Sequence, residues 1–180
     1  LELVGDGKGL NLSLRNISLS TCGVVPRIYD LMERHLQLTL SVSLHAPNNE
    51  MRSKTMPINK KYPIEELLKA CREYTKRTSR RISFEYAMIK DVNDSDACAY
   101  ELAALLKGML CHVNLIPATE IVESSHKRST NERLESFIKI LNSRGINATV
   151  RRSLGSDIDA SCGQLRSRHN REISEKEGNK

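Results

Sequence analysis

Apolar and polar positions along the chain alternate between two rhythms. Asn16-Ile17-Ser18-Leu19-Ser20 alternates over about the length of a strand, and Thr21-Cys22-Gly23 breaks it. Leu38 to Leu44 (LTLSVSL) predicts a second strand and Ile82-Ser83-Phe84-Glu85-Tyr86 a third. Cys111 to Ile116 predicts a fourth, stopped by Pro117, and Ala148-Thr149-Val150 centres a short fifth. Between them the rhythm is helical. Pro26 opens a helix with Ile28, Leu31 and Met32 on one face. After Pro63, Ile64, Leu67, Leu68 and Cys71 recur at helical spacing, and the face ends near Tyr74. Asp94 or Ser95 can cap a helix lined by Cys98, Leu102, Leu105, Leu106 and Met109. Ser129 and Glu132 form a capping-box pattern ahead of Leu134, Phe137, Ile138 and Leu141, and Gly145 ends that helix. Leu1 to Val4 reads as a last helical turn closed by the glycines at 5, 7 and 9, and Met51 to Lys61 as a basic loop around Pro57.

Strands alternating with helices at spacings of roughly 24 to 42 residues predict parallel strands joined by right-handed crossovers. The expected class is α/β, a parallel sheet with flanking helices, either open or part of a barrel. The chain starts without a methionine inside what reads as a helix end, so it is expected to be a piece of something longer, with an exposed sheet edge that invites self-association. The polar, charged stretch after Leu165 is expected to fray.

Composition narrows the class. A chain of 180 residues, 39% hydrophobic and 28% charged, suits one soluble domain with a substantial core. It contains no apolar run of membrane-spanning length and no signal-peptide pattern. Five widely spaced cysteines argue against a disulfide framework and for a reducing, cytoplasmic compartment. None forms a close pair, so no metal ligands are assigned. A formal charge of +6 and a pI near 9.1 make a polyanionic partner plausible beside a merely solvated basic surface.

Ligands of parallel α/β folds bind beyond the carboxyl ends of strands. Those ends carry Ser20-Thr21-Cys22-Gly23, Ser43-Leu44-His45, Glu85-Tyr86 and Pro117-Ala118-Thr119, and the fifth strand runs through Arg151-Arg152 to Asp157-Ile158-Asp159-Ala160-Ser161-Cys162-Gly163-Gln164-Leu165. Each has a plain structural reading as well. Ser20 contacts a ligand or caps the helix near Pro26, and spacing favours the cap. His45 holds a ligand or serves the turn before Pro47. Glu85 lies at an exposed edge or points inward, where a carboxylate needs a partner. Cys71, Cys98 and Cys111 read as small core residues, and Cys22 stays open. Cys162 lies between carboxylates, which oppose a thiolate, and arginines, which favour it.

Five ordered stretches carry a resemblance: Leu19-Ser-Thr-Cys-Gly-Val-Val-Pro26, Ser43-Leu-His-Ala-Pro-Asn48, Met56-Pro-Ile-Asn59, Asn114-Leu-Ile-Pro117 and the Cys162 segment. Together they resemble the RlmN/Cfr family of radical S-adenosylmethionine RNA methyltransferases, most closely its RlmN branch, from about Asn16 to Arg166. The resemblance implies the later strands of a partial (β/α)6 TIM-like barrel over residues 1–166, followed by a flexible charged tail, 167–180. It implies S-adenosylmethionine contacts at Ser20, Ser43, Leu44 and His45, and at Thr119, where the family generally has an asparagine; threonine keeps a hydroxyl but is shorter and lacks the amide. Cys162 matches the cysteine that is methylated and then carries the one-carbon unit, as a methylene radical, to C2 of adenine. The implied substrates are 23S ribosomal RNA and transfer RNA. A [4Fe–4S] cluster, its reductant and a second catalytic cysteine complete the chemistry, and the cluster and second-cysteine motifs lie upstream of the region seen here. The isolated chain is then expected to be inactive. Methylation at C8, as in the Cfr branch, and a non-catalytic basic RNA-binding α/β module are the alternatives.

Overall fold

Five parallel strands, β1 (Ser18–Thr21), β2 (Thr39–Ser43), β3 (Ile82–Met88), β4 (Cys111–Pro117) and β5 (Ala148–Val150), form one sheet in their order along the chain. The structure is a computed structural model and describes residues 1–118 and 127–151. These fall almost wholly in the first of two compact units, Leu1–Val150 and Arg151–Lys180. The helices are α1 (Glu2–Gly5), α2 (Val25–Glu33), α3 (Asn49–Thr55), α4 (Ile64–Thr78), α5 (Asp96–Leu106) and α6 (Asn131–Ser143). Parallel neighbours need crossover connections, and right-handed crossovers in a strand order that never reverses all fall on one face. That single winding is the arrangement of an arc of a (β/α) barrel, not of a doubly wound sheet.

The burial pattern shows the same thing. On the helix side Leu40, Val42, Ile82, Phe84, Tyr86, Met88, Val113 and Leu115 are buried among Ile28, Leu31, Leu67, Cys71, Leu102 and Phe137. Residues between them on β3 and β4 are half-exposed and mostly polar, in strict alternation along β3, while Ser41 of β2 is buried. The sheet is thus covered on one face only among the described residues. At its β1 edge cover is thin: Leu19 keeps 37% of its surface exposed, whereas its register partner Leu40 keeps 1%.

Local chemistry sets the helix boundaries. Ser95 caps α5 by accepting from the Cys98 amide, while Asp94 turns back to accept from the Asp91 amide. Thr130, not Ser129, caps α6: its hydroxyl accepts from the Arg133 amide, and Ser129 is buried one residue earlier. The expected capping box of Ser129 and Glu132 does not form: with Thr130 as the cap, the third helical residue is Arg133, which has no carboxylate to return. Gly145 leaves α6 at φ 79, as expected of its sequence position. β3 and β4 run further than expected, to Met88 and Pro117, which are register partners. The segment expected as a basic loop is mostly helical: α3 is capped by Asn48, and a 3-10 turn follows at Pro57–Lys60. No helix among the described residues is long and apolar enough to cross a membrane.

Candidate functional site at the carboxyl ends of the strands

Strand register lines up the polar residues. Ser20, Ser41, Ser83 and His112 form one row across four strands, and Ser43, Glu85, Asn114 and Thr149 form the next, nearer the carboxyl ends. Parity places both rows on the face away from the helices. Glu85 has neutral partners: Asn114 Nδ2 donates to one carboxylate oxygen at 2.7 Å and the Ser83 hydroxyl to the other at 3.1 Å. His112 Nε2 lies 2.9 Å from the Thr149 hydroxyl, while its buried Nδ1 has no partner. Burial, and then the Arg81 charge, lower the His112 pKa against the pull of Glu85. Period-2 polar positions in β2, β3 and β4 were the available signal for this face; sequence reading picked out only its ends.

Where β2 stops, the chain turns sharply. His45 has φ 58, an uncommon left-handed conformation for a residue with a side chain. Three contacts hold it there. Its amide donates to the Glu85 carbonyl at 3.3 Å, its carbonyl accepts from Asn93 Nδ2 at 2.8 Å, and its Nδ1 accepts from the Ala87 amide at 3.0 Å. Accepting at Nδ1 assigns the neutral ring's proton to Nε2, which is left as a donor. Burial lowers the His45 pKa, the Arg52 charge adds to this, and Glu85 opposes it. The ring is therefore kept neutral. Asn93, itself buried, also donates to the Ala87 carbonyl and accepts from the Ile89 amide. No pattern in the sequence pointed to it.

The structure brings Ser20, Ser43, Leu44 and His45 to adjoining strand ends. Ser20 does not cap α2, whose N-cap is Val24 without a side-chain bond. Its hydroxyl lies exposed on the polar face. Leu44 is buried on the helix side, and its amide and carbonyl are already bonded to the Glu85 carbonyl and the Arg52 guanidinium. Thr119 and Cys162 lie outside the described residues. Cys71 and Cys98 are buried, as their positions predicted; Cys111, also read as a core residue, is only half-buried, and Cys22 is exposed. One expectation fails outright. Arg52 lies in the stretch expected as a basic surface loop, but it is fully buried and donates to the carbonyls of Cys22, Ser43 and Leu44 and to Asn59. Of its neighbours, Lys54 pairs with Glu50, and Lys60 and Lys61 remain exposed.

Comparison with known proteins agrees with this geometry. A protein described as probable dual-specificity RNA methyltransferase RlmN from Caldanaerobacter subterraneus subsp. tengcongensis is 54% identical over 172 residues, 96% of this chain and 50% of its own length. One of the same description from Clostridium beijerinckii is 55% identical over 166 residues, 92% of this chain and 47% of its own. The chain therefore spans about half the length of the curated relatives it matches. The crystal structure of a radical SAM methyltransferase from Sphaerobacter thermophilus superposes with a TM-score of 0.86 at 51% identity, covering 89% of this chain and 47% of that one. The radical SAM superfamily profile matches residues 3–103, the stretch holding β1, β2, β3 and both strand ends just described. That match spans more than half of the chain and, with the singly wound parallel strands, makes this chain a member of the radical SAM superfamily.

Proposed function

We propose that this chain is the later-strand part of an RlmN-type RNA methyltransferase. In this reading S-adenosylmethionine contacts Ser20, Ser43, Leu44 and His45, and Thr119 is a further contact. Cys162 carries the methyl group to C2 of adenine in 23S ribosomal and transfer RNA. The catalytic part runs through residue 166, with 167–180 as a tail. The observation that carries the reading is the pair of register-aligned polar rows leading to a preorganised turn at Ser43-Leu44-His45, within a chain similar to RlmN proteins over nearly all its length.

Superfamily membership implies S-adenosylmethionine and a [4Fe–4S] cluster. The strand ends suit the first. Ser20 and Ser43 supply hydroxyls that both donate and accept, and His45 supplies an Nε2–H donor whose tautomer the Ala87 amide sets. Leu44 has both main-chain groups engaged, so its part is one remaining carbonyl lone pair. Bound here, S-adenosylmethionine supplies a one-carbon unit and hydrogen-abstracting chemistry; the protein supplies placement. No three His, Cys, Asp or Glu side chains gather into a metal-binding group among the described residues. The described residues therefore do not fit the cluster.

The direct test is nucleoside analysis of RNA treated with the full-length protein. Wild type should introduce 2-methyladenosine from labelled S-adenosylmethionine, and Cys162→Ala should abolish it while cofactor binding persists. Label at C8 would reassign the position, and full activity in Cys162→Ala would remove the carrier role.

A further inference from the structure

Arg52 is the largest fully buried side chain among the described residues, and its hydrogen-bond partners are all neutral. Nε donates to the Leu44 carbonyl at 3.2 Å and Nη1 to Asn59 Oδ1 at 2.9 Å. Nη2 alone reaches two strand ends, donating to the Cys22 carbonyl at 2.8 Å and the Ser43 carbonyl at 3.1 Å. A buried guanidinium without a carboxylate is costly to desolvate, and apolar residues of similar volume often serve stability as well or better. Stability alone is therefore a poor account of it. What an apolar replacement lacks is a planar fork that fixes three main-chain carbonyls at once.

Its position in the ladder suggests the use. The last register partners of β1 and β2 are Thr21 and Val42. At the following residues, Cys22 and Ser43, strand pairing has ended and one guanidinium nitrogen bridges the two carbonyls instead. The turn after β1 is shaped around it. Gly23 has φ 101, and a Cβ there would come within 3.2 Å of Nη2 and 3.0 Å of Leu67. Asn59, only 2% exposed, fixes the other side of the fork, and its own amide donates to the Asn49 carbonyl, Asn49 Oδ1 and Ser53. Asn49 Oδ1 in turn accepts from the Ile64 amide at the start of α4.

We propose that Arg52, held by Asn59, is a positioning residue that sets the spacing of the two strand ends carrying Ser20 and Ser43-Leu44-His45, and so sets affinity for the ligand they hold. The proposal rests on the assignment of S-adenosylmethionine to those ends. Misplacing binding groups by a fraction of a bond length is enough to weaken a preorganised site.

The test uses the full-length protein with Arg52→Met, Asn59→Ala and, as a control for general destabilisation, Leu106→Ala on the remote helix α5. Binding of S-adenosylmethionine is measured by equilibrium dialysis, RNA affinity by filter binding and Tm by calorimetry. Arg52→Met should weaken S-adenosylmethionine binding by about tenfold or more and Asn59→Ala by about threefold, with RNA affinity unchanged. Leu106→Ala should lower Tm and leave S-adenosylmethionine affinity intact. Wild-type affinity in both Arg52→Met and Asn59→Ala overturns the proposal, as does an equal loss in Leu106→Ala. If Arg52→Met does not fold, Asn59→Ala decides on its own. A wild-type protein that binds no S-adenosylmethionine refutes the underlying functional assignment instead.

Discussion

Phe84 and Glu85 are consecutive residues of β3 in opposite environments. Phe84 is fully buried against the helices, while Glu85 is half-exposed on the other face, held by an amide and a hydroxyl. The same contrast repeats across the sheet: Val42 beside Ser43, Val113 beside Asn114, Ala148 beside Thr149. The helix face is completed by side chains of the described residues and accounts for stability. The polar face carries hydrogen bonds along and between strands and presents hydroxyls, an amide, an imidazole and a carboxylate on one side of the sheet. A fold needing only to be stable would have little use for that second face, and this is where the functional reading draws its support.

The contrast is sharpest if one substitution on each face is compared. Phe84→Ala removes a buried ring and should cost about 3–5 kcal/mol in urea unfolding of the full-length protein. Glu85→Gln keeps the shape and one acceptor oxygen, and should cost about 1 kcal/mol or less. Comparable losses would mean that the polar face is as structural as the helix face.

Much of this division could be read in the residues themselves. β3 and β4 alternate visibly, the helix faces recur at helical spacing, and the parallel direction of the strands followed from the lengths between them. Other features resist such reading for definable reasons. Arg52 carries a charge, and charge predicts surface; its burial depends on three carbonyls contributed by two strand ends that meet only in the folded chain. Asn93 is likewise ordinary until the His45 and Ala87 carbonyls converge on its amide. α3 was obscured by its charges and by Pro57, which begins the next turn and does not break the helix. Ser20 and Ser43 stood out first as polar strand ends; motif resemblance gave them a ligand, where spacing alone favoured a cap for the first.

A smaller effect is expected with pH. His45 and His112 both titrate lower in the folded chain than in the unfolded one, chiefly because burial disfavours the imidazolium. Above an unfolded value of about 6.5 both rings are neutral in either state and the full stability is present. As pH falls through that value the unfolded chain takes up protons first, so stability declines until the lower folded values are reached. Protonating His45 also turns Nδ1 from an acceptor into a donor facing the Ala87 amide. The urea midpoint should fall between pH 7.5 and 5.5, and less so in His45→Asn, which tolerates the left-handed backbone but cannot titrate. An identical decline in that variant would dissociate His45 from the effect.

Thiol labelling separates the faces without perturbing them. Burial pushes the Cys71 thiol up to about 12 and the Cys111 thiol up to about 11. Both thiols therefore resist forming the thiolate, the reactive form. Cys22 is exposed at the end of β1 and should be alkylated first, with Cys71 and Cys98 protected until the helix face opens. Labelling at Cys71 then reports that opening by itself. In Phe84→Ala its rate should rise, because the core cluster that holds both Phe84 and Cys71 loses a ring; in Glu85→Gln it should stay at the wild-type rate, because that cluster is unchanged. Equal acceleration in both variants would show that the faces open as one unit, and the polar side would then be a structural layer in its own right.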